Sequence, residues 1–168
     1  MNNVVLNNTI RFISLLLLQV LVFNHVNIFG HINPMVYIVW VFLFPFRKNR
    51  NWLLIFSFLL GISIDFFSDS AGVNAFAITF IAYFRLPIIK AILRKPEFDY
   101  VQFNLKTISN NKAFLFIATL TIIHHFIVFS LEYFSFEALT SIIFNTILTS
   151  IFTILISILG IVLFTKKK

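Results

Sequence analysis

The chain has 168 residues, of which 60% are hydrophobic, and its mean hydropathy of +0.96 is far above that of a soluble domain. A net charge of +7 would point to nucleic acid in a soluble protein, but here the cations lie between long apolar runs. The absence of cysteine excludes disulfides, thiolate metal sites and a cysteine nucleophile. We therefore expect one integral-membrane domain, residues 1–168, that binds no nucleic acid.

Lysine and arginine are confined to alternate segments between the apolar runs. The segments rich in cations are the N-terminus with Arg11, residues 47–50, residues 85–112 and the tail 166–168. The segments without a cation are 25–34, 66–73 and 131–138. Because short loops rich in lysine and arginine stay in the cytoplasm, this alternation predicts a multi-pass protein of the bacterial inner membrane with both termini cytoplasmic.

In chain order, the apolar runs predict a six-helix transmembrane bundle with spans at about 4–24, 29–46, 52–67, 71–93, 113–131 and 139–164. We expect the first span to be retained, because residues 24–27 lack the small residues of a signal-peptide cleavage site. The second and third spans are short against the ~20 residues that cross a bilayer. Either the second begins near Ile28 and bends at Pro34, or the pair forms a shortened hairpin.

The segment 94–112 is the longest stretch that is not a predicted span. Its apolar side chains suit an element lying at the membrane interface better than a free linker. They are Phe98, Tyr100, Phe103, Leu105 and Ile108.

Asp65 is the sharpest candidate for chemistry. Counted from Trp52 at ~1.5 Å per residue, it lies ~20 Å across the membrane, where a carboxylate must find partners. Gly61 lies on the same helix face and permits close helix approach. We favour a structural role, in which Asp65 anchors the turn that follows, over a proton or substrate site. On that interpretation Asp65→Asn is nearly silent and Asp65→Leu lowers protein levels.

Two other sets of polar residues fall within predicted spans. Arg85 lies near the inner end of the fourth span, about 10 Å from the depth of Asp65, so we expect it to extend to the cytoplasmic surface rather than pair with that carboxylate. His124 and His125 are adjacent in the fifth span and point ~100° apart, so they are not expected to chelate one metal. At least one should face the bundle interior as a neutral hydrogen-bonding group.

The sixth span carries a stripe of small and polar residues at steps of about four. In lipid such a stripe marks a helix–helix seam, which lies either inside this bundle or against a partner protein. Its members are Ser141, Asn145, Thr149, Thr153, Ser157 and Gly160.

The run from Gly61 to Ala75, with Asp65, Ser68 and Gly72 between them, resembles the signature of the rod-shape-determining MreD family. That family shows a G-x-x-x-D-x-x-S stretch followed by a glycine and an alanine that open the next helix. The resemblance implies a non-enzymatic scaffold for cell shape and peptidoglycan synthesis, with no cofactor. It also implies an elongation complex with MreC, MreB, RodA and penicillin-binding protein 2, and a fold similar to the substrate-binding subunits of ECF transporters.

An ECF-type vitamin-binding subunit is therefore the alternative function. Those subunits use small-residue faces on the first helix, whereas the first alanine of this chain is Ala71. We also expect no polar outer pocket beyond Asp65, Asn74 and Glu132. A membrane enzyme has less support, because no catalytic triad or phosphate-binding loop is recognisable. Whether the protein forms a homodimer is left open.

Overall fold

The structure is a computed structural model that describes residues 2–28, 30, 32–46, 50–94 and 108–164. These residues form a bundle of α-helices and contain no β-strand, although a single antiparallel bridge joins Ile28 to Ile32. A π-helical turn, Gln19–Phe23, continues the first helix, and 3-10 turns precede the second and the last. The helices are α1 (Asn2–Leu18), α2 (Val39–Leu43), α3 (Asn51–Ser68), α4 (Val73–Leu93), α5 (Asn110–Tyr133) and α6 (Leu139–Phe164).

Five helical stretches of the described chain are long and apolar enough to cross a membrane. They are Val5–Phe23, Asn51–Ser68, Val73–Leu93, Asn110–Tyr133 and Leu139–Val162. The protein is thus all-helical, with the helices of a multi-pass membrane protein. The predicted first, third, fourth, fifth and sixth spans each correspond to one of these stretches.

The predicted second span, 29–46, does not form a membrane-length helix. Three residues of 3-10 helix and five of α-helix cover about 14 Å, half of a ~30 Å bilayer core. Two prolines explain the length. Pro34 precedes the helical part, and Pro45 disfavours helix at Phe44, whose backbone is extended at φ −63° and ψ 137°.

This short helical segment nevertheless lies at the centre of the molecule. Every side chain from Val36 to Phe42 is at most 4% exposed. A segment that is apolar on all sides has no face for solvent, and its stable place is inside a bundle. The other helices pack around it, and Trp40 and Phe42 make edge contacts with Phe12 of α1 and Phe116 of α5.

Contacts near the helix ends show the direction in which these elements run through the bundle. Asn24 follows α1 and donates to the Ser68 hydroxyl at the end of α3 over 2.8 Å, so α1 and α3 finish at the same end of the bundle. Between them, the chain returns through the interior. The Val36 N–H donates to the Gln19 side chain near that shared end. The Phe44 carbonyl accepts from Arg85, which lies in the second half of α4. The segment 36–46 thus runs through the bundle interior from near the end where α1 and α3 finish towards the opposite end.

The two ends of the bundle carry opposite charge. The acidic residues of the described chain lie at or near the end where α1, α3 and α5 finish. We call this end the acidic end. The opposite end is the basic end. The acidic end holds Asp65, Asp69, Glu132 and Glu137, and the basic end holds Arg50, Lys90, Arg94 and Lys112.

Several predicted boundaries move by a few residues. α4 begins at Val73 rather than at residue 71, because Ala71 and Gly72 are left-handed, with φ of 50° and 89°. α5 begins three residues earlier than the predicted 113, directly after an extended Ser109. Of the predicted interfacial segment, Ile108 packs against the core. Phe98, Tyr100, Phe103 and Leu105, like residues 47–49 and 165–168, lie outside the described residues.

Gly61 sets the distance between α3 and α4. A Cβ atom there would lie 2.4 Å from the Cα of Ala75 and 2.8 Å from the Cγ2 of Ile78. The first of these atoms belongs to the backbone, so a side chain at Gly61 would have to push the two helices apart. The predicted close approach of a neighbouring helix to Gly61 is present in the structure.

We predict that Gly61→Ala lowers the free energy of unfolding by about 1–3 kcal/mol, the usual cost of overpacking a close-packed contact. Gly160→Ala is the matched control, because a Cβ at Gly160 meets nothing within 4 Å and the helix gains a residue of higher propensity. Unfolding midpoints of both variants in detergent would measure the difference. Equal midpoints for the two variants would contradict the role given to Gly61.

Candidate functional site

The Asp65 carboxylate binds the first turn of the neighbouring helix. Oδ1 accepts from the backbone N–H of Asn74 at 3.0 Å, and Oδ2 accepts from that of Ala75 at 2.8 Å. Oδ1 also accepts from the Asn74 side chain at 3.0 Å and from the Ser70 hydroxyl at 2.5 Å. Four donors therefore converge on one buried carboxylate that is 4% exposed.

This arrangement is a helix cap supplied by another helix. The residue at the N-cap position of α4 is Gly72, which has no side chain to accept from the free N–H groups of the first turn. Asp65 bonds the second and third of those groups, as a capping aspartate would, and its charge faces the positive pole of the α4 dipole. Four of the motif residues thus cooperate: Gly61 allows the approach, Asp65 caps, Gly72 makes the left-handed turn and Ala75 donates.

Tyr37 extends this network into the centre of the bundle. Its hydroxyl donates to the Asn74 amide oxygen over 2.7 Å and lies 2.9 Å from the Nε2 atom of His124. A path of hydrogen bonds therefore joins Asp65 of α3, Asn74 of α4, Tyr37 of the 3-10 turn before α2, and His124 of α5. Tyr37 was not among the residues predicted to carry chemistry. The sequence offered one signal for Tyr37, a hydroxyl within an otherwise apolar run. A buried tyrosine needs a hydrogen-bond partner for that hydroxyl.

Hydrogen counting assigns a tautomer to His124. Tyr37 has one hydroxyl hydrogen, which goes to Asn74, so a neutral His124 ring must carry its proton on Nε2 and donate to the tyrosine oxygen. The Nδ1 atom is then a bare acceptor, and it has no partner among the described residues. His124 thus faces the bundle interior as a hydrogen-bonding group.

His125 belongs to a second set of contacts. Its Nδ1 lies 2.8 Å from the Thr121 carbonyl oxygen, and its Nε2 lies 3.1 Å from the Thr153 hydroxyl of α6. The two histidine rings are nearly perpendicular, at 69°, with centroids 5.3 Å apart. The described residues contain no group of three histidine, cysteine or acidic side chains that could hold a metal.

Three buried polar side chains bond the non-helical backbone that flanks α2. Gln19 accepts from the Val36 N–H over 2.7 Å and donates to the Pro34 carbonyl over 3.2 Å. Thr153 accepts from the Met35 N–H over 3.2 Å. Arg85 donates to the Phe44 carbonyl at the other end of the segment. Gln19, like Tyr37, was missed at the sequence level, and its only signal is an amide within an apolar span.

The position of Arg85 corrects the expectation that it extends to the surface. Its side chain is 1% exposed, and its guanidinium carbon lies 3.6 Å from the centre of the Phe46 ring. Extension along α4 toward the basic end is not required, because the Phe44 carbonyl and the aromatic face supply partners inside the bundle. Asp65 and Arg85 thus have separate sets of partners.

The stripe on α6 is directed mainly into the bundle. Thr149, Thr153 and Ser157 are buried, whereas Ser141 is exposed. Asn145 is half-buried and donates to the Tyr133 hydroxyl over 2.8 Å. Gly160 is half-buried with open space beside it. The central part of the stripe is therefore occupied by this chain's own helices rather than offered to a partner.

A pocket opens at the acidic end between α5, α6 and the chain that precedes α2. Its volume is about 320 Å³. This pocket corrects the expectation that no polar outer cavity exists beyond Asp65, Asn74 and Glu132: Glu132 lines it, with two asparagines and a tyrosine that sequence analysis did not group together. The lining residues are Asn33, Met35, Phe129, Glu132, Tyr133 and Asn145.

Comparisons of the chain with protein-family models, with curated proteins and with solved structures gave no match.

The donor set around Asp65 changes the expectation for Asp65→Asn. All four partners donate, so an amide nitrogen in place of one oxygen would meet a donor, and we predict a loss of about 1–3 kcal/mol in the free energy of unfolding. Asp65→Leu should cost more, because it leaves all four donors without an acceptor.

Asp69→Asn is the control for these variants. Asp69 is exposed and left-handed at φ 53°, a conformation that asparagine tolerates well. Its unfolding midpoint should match the wild type. A wild-type midpoint for Asp65→Asn as well would show that the carboxylate does not cap α4.

Proposed function

We propose that this protein is a non-enzymatic scaffold of the bacterial cell-elongation machinery, similar in role to MreD. The observation that supports the proposal is that the motif residues act together at one contact between two helices. Gly61, Asp65, Gly72 and Ala75 meet at one contact between α3 and α4, where they fix the packing of a helix hairpin. Motif residues that hold two helices together favour a structural role for the protein. The resemblance to MreD supplies the process to which that role belongs.

The use of the polar side chains supports a scaffold over a catalyst. Four buried side chains form hydrogen bonds with backbone groups of a neighbouring segment and so hold the bundle together. They are Asp65, Gln19, Arg85 and Thr153. The outward faces of α1 and α6 are apolar and exposed, and they offer packing surfaces to lipid or to other membrane proteins. On α1 these are Val5, Leu6, Ile10, Ile13 and Leu17, and on α6 they are Ile143, Phe144, Ile147, Ile151, Leu155 and Leu159.

The proposal includes an orientation in the inner membrane. Arg50, Lys90, Arg94 and Lys112 lie at one end of the bundle, and the positive-inside rule assigns that end to the cytoplasm. Both chain termini would then be cytoplasmic, and the acidic end would face the periplasm.

Reporter fusions read this orientation directly. Fusions after Asp69 and Tyr133 should show periplasmic activity, and fusions after Arg50 and Ser109 should show cytoplasmic activity. One reversed reading at any of the four positions would break the alternating arrangement.

Depletion of the protein in a rod-shaped bacterium that carries it tests the function. Cells should become round as the protein is lost, because a missing scaffold disperses the elongation machinery, and wild-type protein should restore the rods. Purification from native membranes should also recover a membrane-anchored coiled-coil partner of the MreC kind. Rods that persist after complete depletion would refute the proposal.

The pocket at the acidic end favours one alternative, a substrate-binding subunit of an ECF-type vitamin transporter. Its volume of about 320 Å³ lies at the lower edge of the ~300–1,000 Å³ range of small-molecule sites. The same depletion strain separates the two functions. Loss of vitamin uptake with normal cell shape would support the transporter, and round cells with normal uptake would support the scaffold.

A further inference from the structure

The pocket at the acidic end has a distinct chemical character, quite apart from the scaffold role. One wall is apolar and comes from Met35 and Phe129, and another carries the carboxylate of Glu132. The chain before α2, the end of α5 and the start of α6 together form it. Residues distant in sequence are thus assembled around one space of about 320 Å³.

The pocket offers free hydrogen-bond acceptors. One N–H of the Asn145 amide donates to the Tyr133 hydroxyl over 2.8 Å. Its amide oxygen and both oxygens of Glu132 have no protein donor in the described part of the chain. A ligand that brings hydrogen-bond donors would therefore find free acceptors at Glu132 and Asn145.

The local electrostatics favour a cation. Glu132 is the second-last residue of α5, so its negative charge adds to the negative pole of the helix dipole. Glu137, Asp65 and Asp69 lie at the same end, whose described residues include no lysine or arginine in the turns 24–28, 32–35, 69–72 and 134–138. An anion would meet repulsion here, whereas a cation would be attracted.

We propose that this pocket binds the ammonium group of a small organic amine. The ammonium would donate to Glu132 and to the Asn145 oxygen, and the aromatic rings of Phe129 and Tyr133 line the same space, where ring faces attract cations. An apolar body on the amine would pack against Met35 and Phe129. A divalent metal fits less well, because the pocket offers a single carboxylate and hard cations take six or more oxygen ligands.

Phenethylamine is a suitable probe, since it joins an ammonium group to an apolar ring, and 2-phenylethanol is its uncharged isostere. Calorimetry on the purified full chain in zwitterionic nanodiscs, with protein-free discs as the baseline for partitioning, would measure both. We expect saturable binding of the amine, and binding about tenfold weaker or more for the alcohol, since a bond to a charged group is lost.

Two glutamate variants locate the site. Glu132→Gln keeps the shape of the side chain and removes its charge, so it should weaken amine binding about tenfold or more. Glu137→Gln removes a charge that does not line the pocket and should leave the affinity unchanged within about twofold, because salt screens a charge that does not contact the bound amine.

Any of three results would overturn the proposal. They are heat no greater than that of protein-free discs, equal affinity of wild type and Glu132→Gln, and equal weakening by the two glutamate variants. None of these results bears on cell shape, so the scaffold proposal would stand or fall separately.

Discussion

The constraint on which this structure depends is that backbone N–H and C=O groups inside a membrane must find partners within the protein. A regular helix meets it through its own bonds, but the chain around α2 and the first turn of α4 cannot. Four buried polar side chains answer such deficits. Asp65 binds the first turn of α4, Gln19 and Thr153 bind the chain that enters α2, and Arg85 binds the chain that leaves it.

This constraint explains why charged and amide side chains persist in so apolar a molecule. A buried arginine or aspartate costs a few kcal/mol or more in a membrane unless it is bonded. Here the cost is offset because the alternative is an unbonded peptide group, which is itself expensive. Asp65 and Arg85 do not pair with each other, since each serves a different break in helical structure.

The sequence was informative wherever a rule acts locally. Long apolar runs predicted five of the helices, and Gly61 with Asp65 predicted a close helix contact and an anchored turn. The second span was misjudged, since its run of apolar residues reads like a transmembrane helix and only Pro34 and Pro45 limit it. The orientation of buried side chains could not be predicted, because which face of α4 meets the segment before Pro45 is set by the whole bundle. For that reason Arg85 was expected at the surface and was found beneath Phe46.

The pocket at the acidic end was missed for a related reason. Asn33, Glu132 and Asn145 come from three separate stretches of the chain, and no spacing in the sequence brings them together. Tyr37 was overlooked because a single hydroxyl in an apolar run resembles an interfacial anchor. Its role depends on the depth at which α2 lies between α4 and α5.

The dependence of the central segment on distant side chains has a consequence for biogenesis. Helices α1 and α3 can partition into the bilayer as they leave the ribosome, because each satisfies its own backbone. The chain from Pro34 to Phe44 cannot, since peptide groups that its short helix leaves free are bonded by Gln19, Arg85 and Thr153, and the last of these is made more than a hundred residues later. This stretch therefore gains its last backbone partner only when α6 is present. Until α6 is synthesised, the Met35 N–H needs another acceptor, such as water.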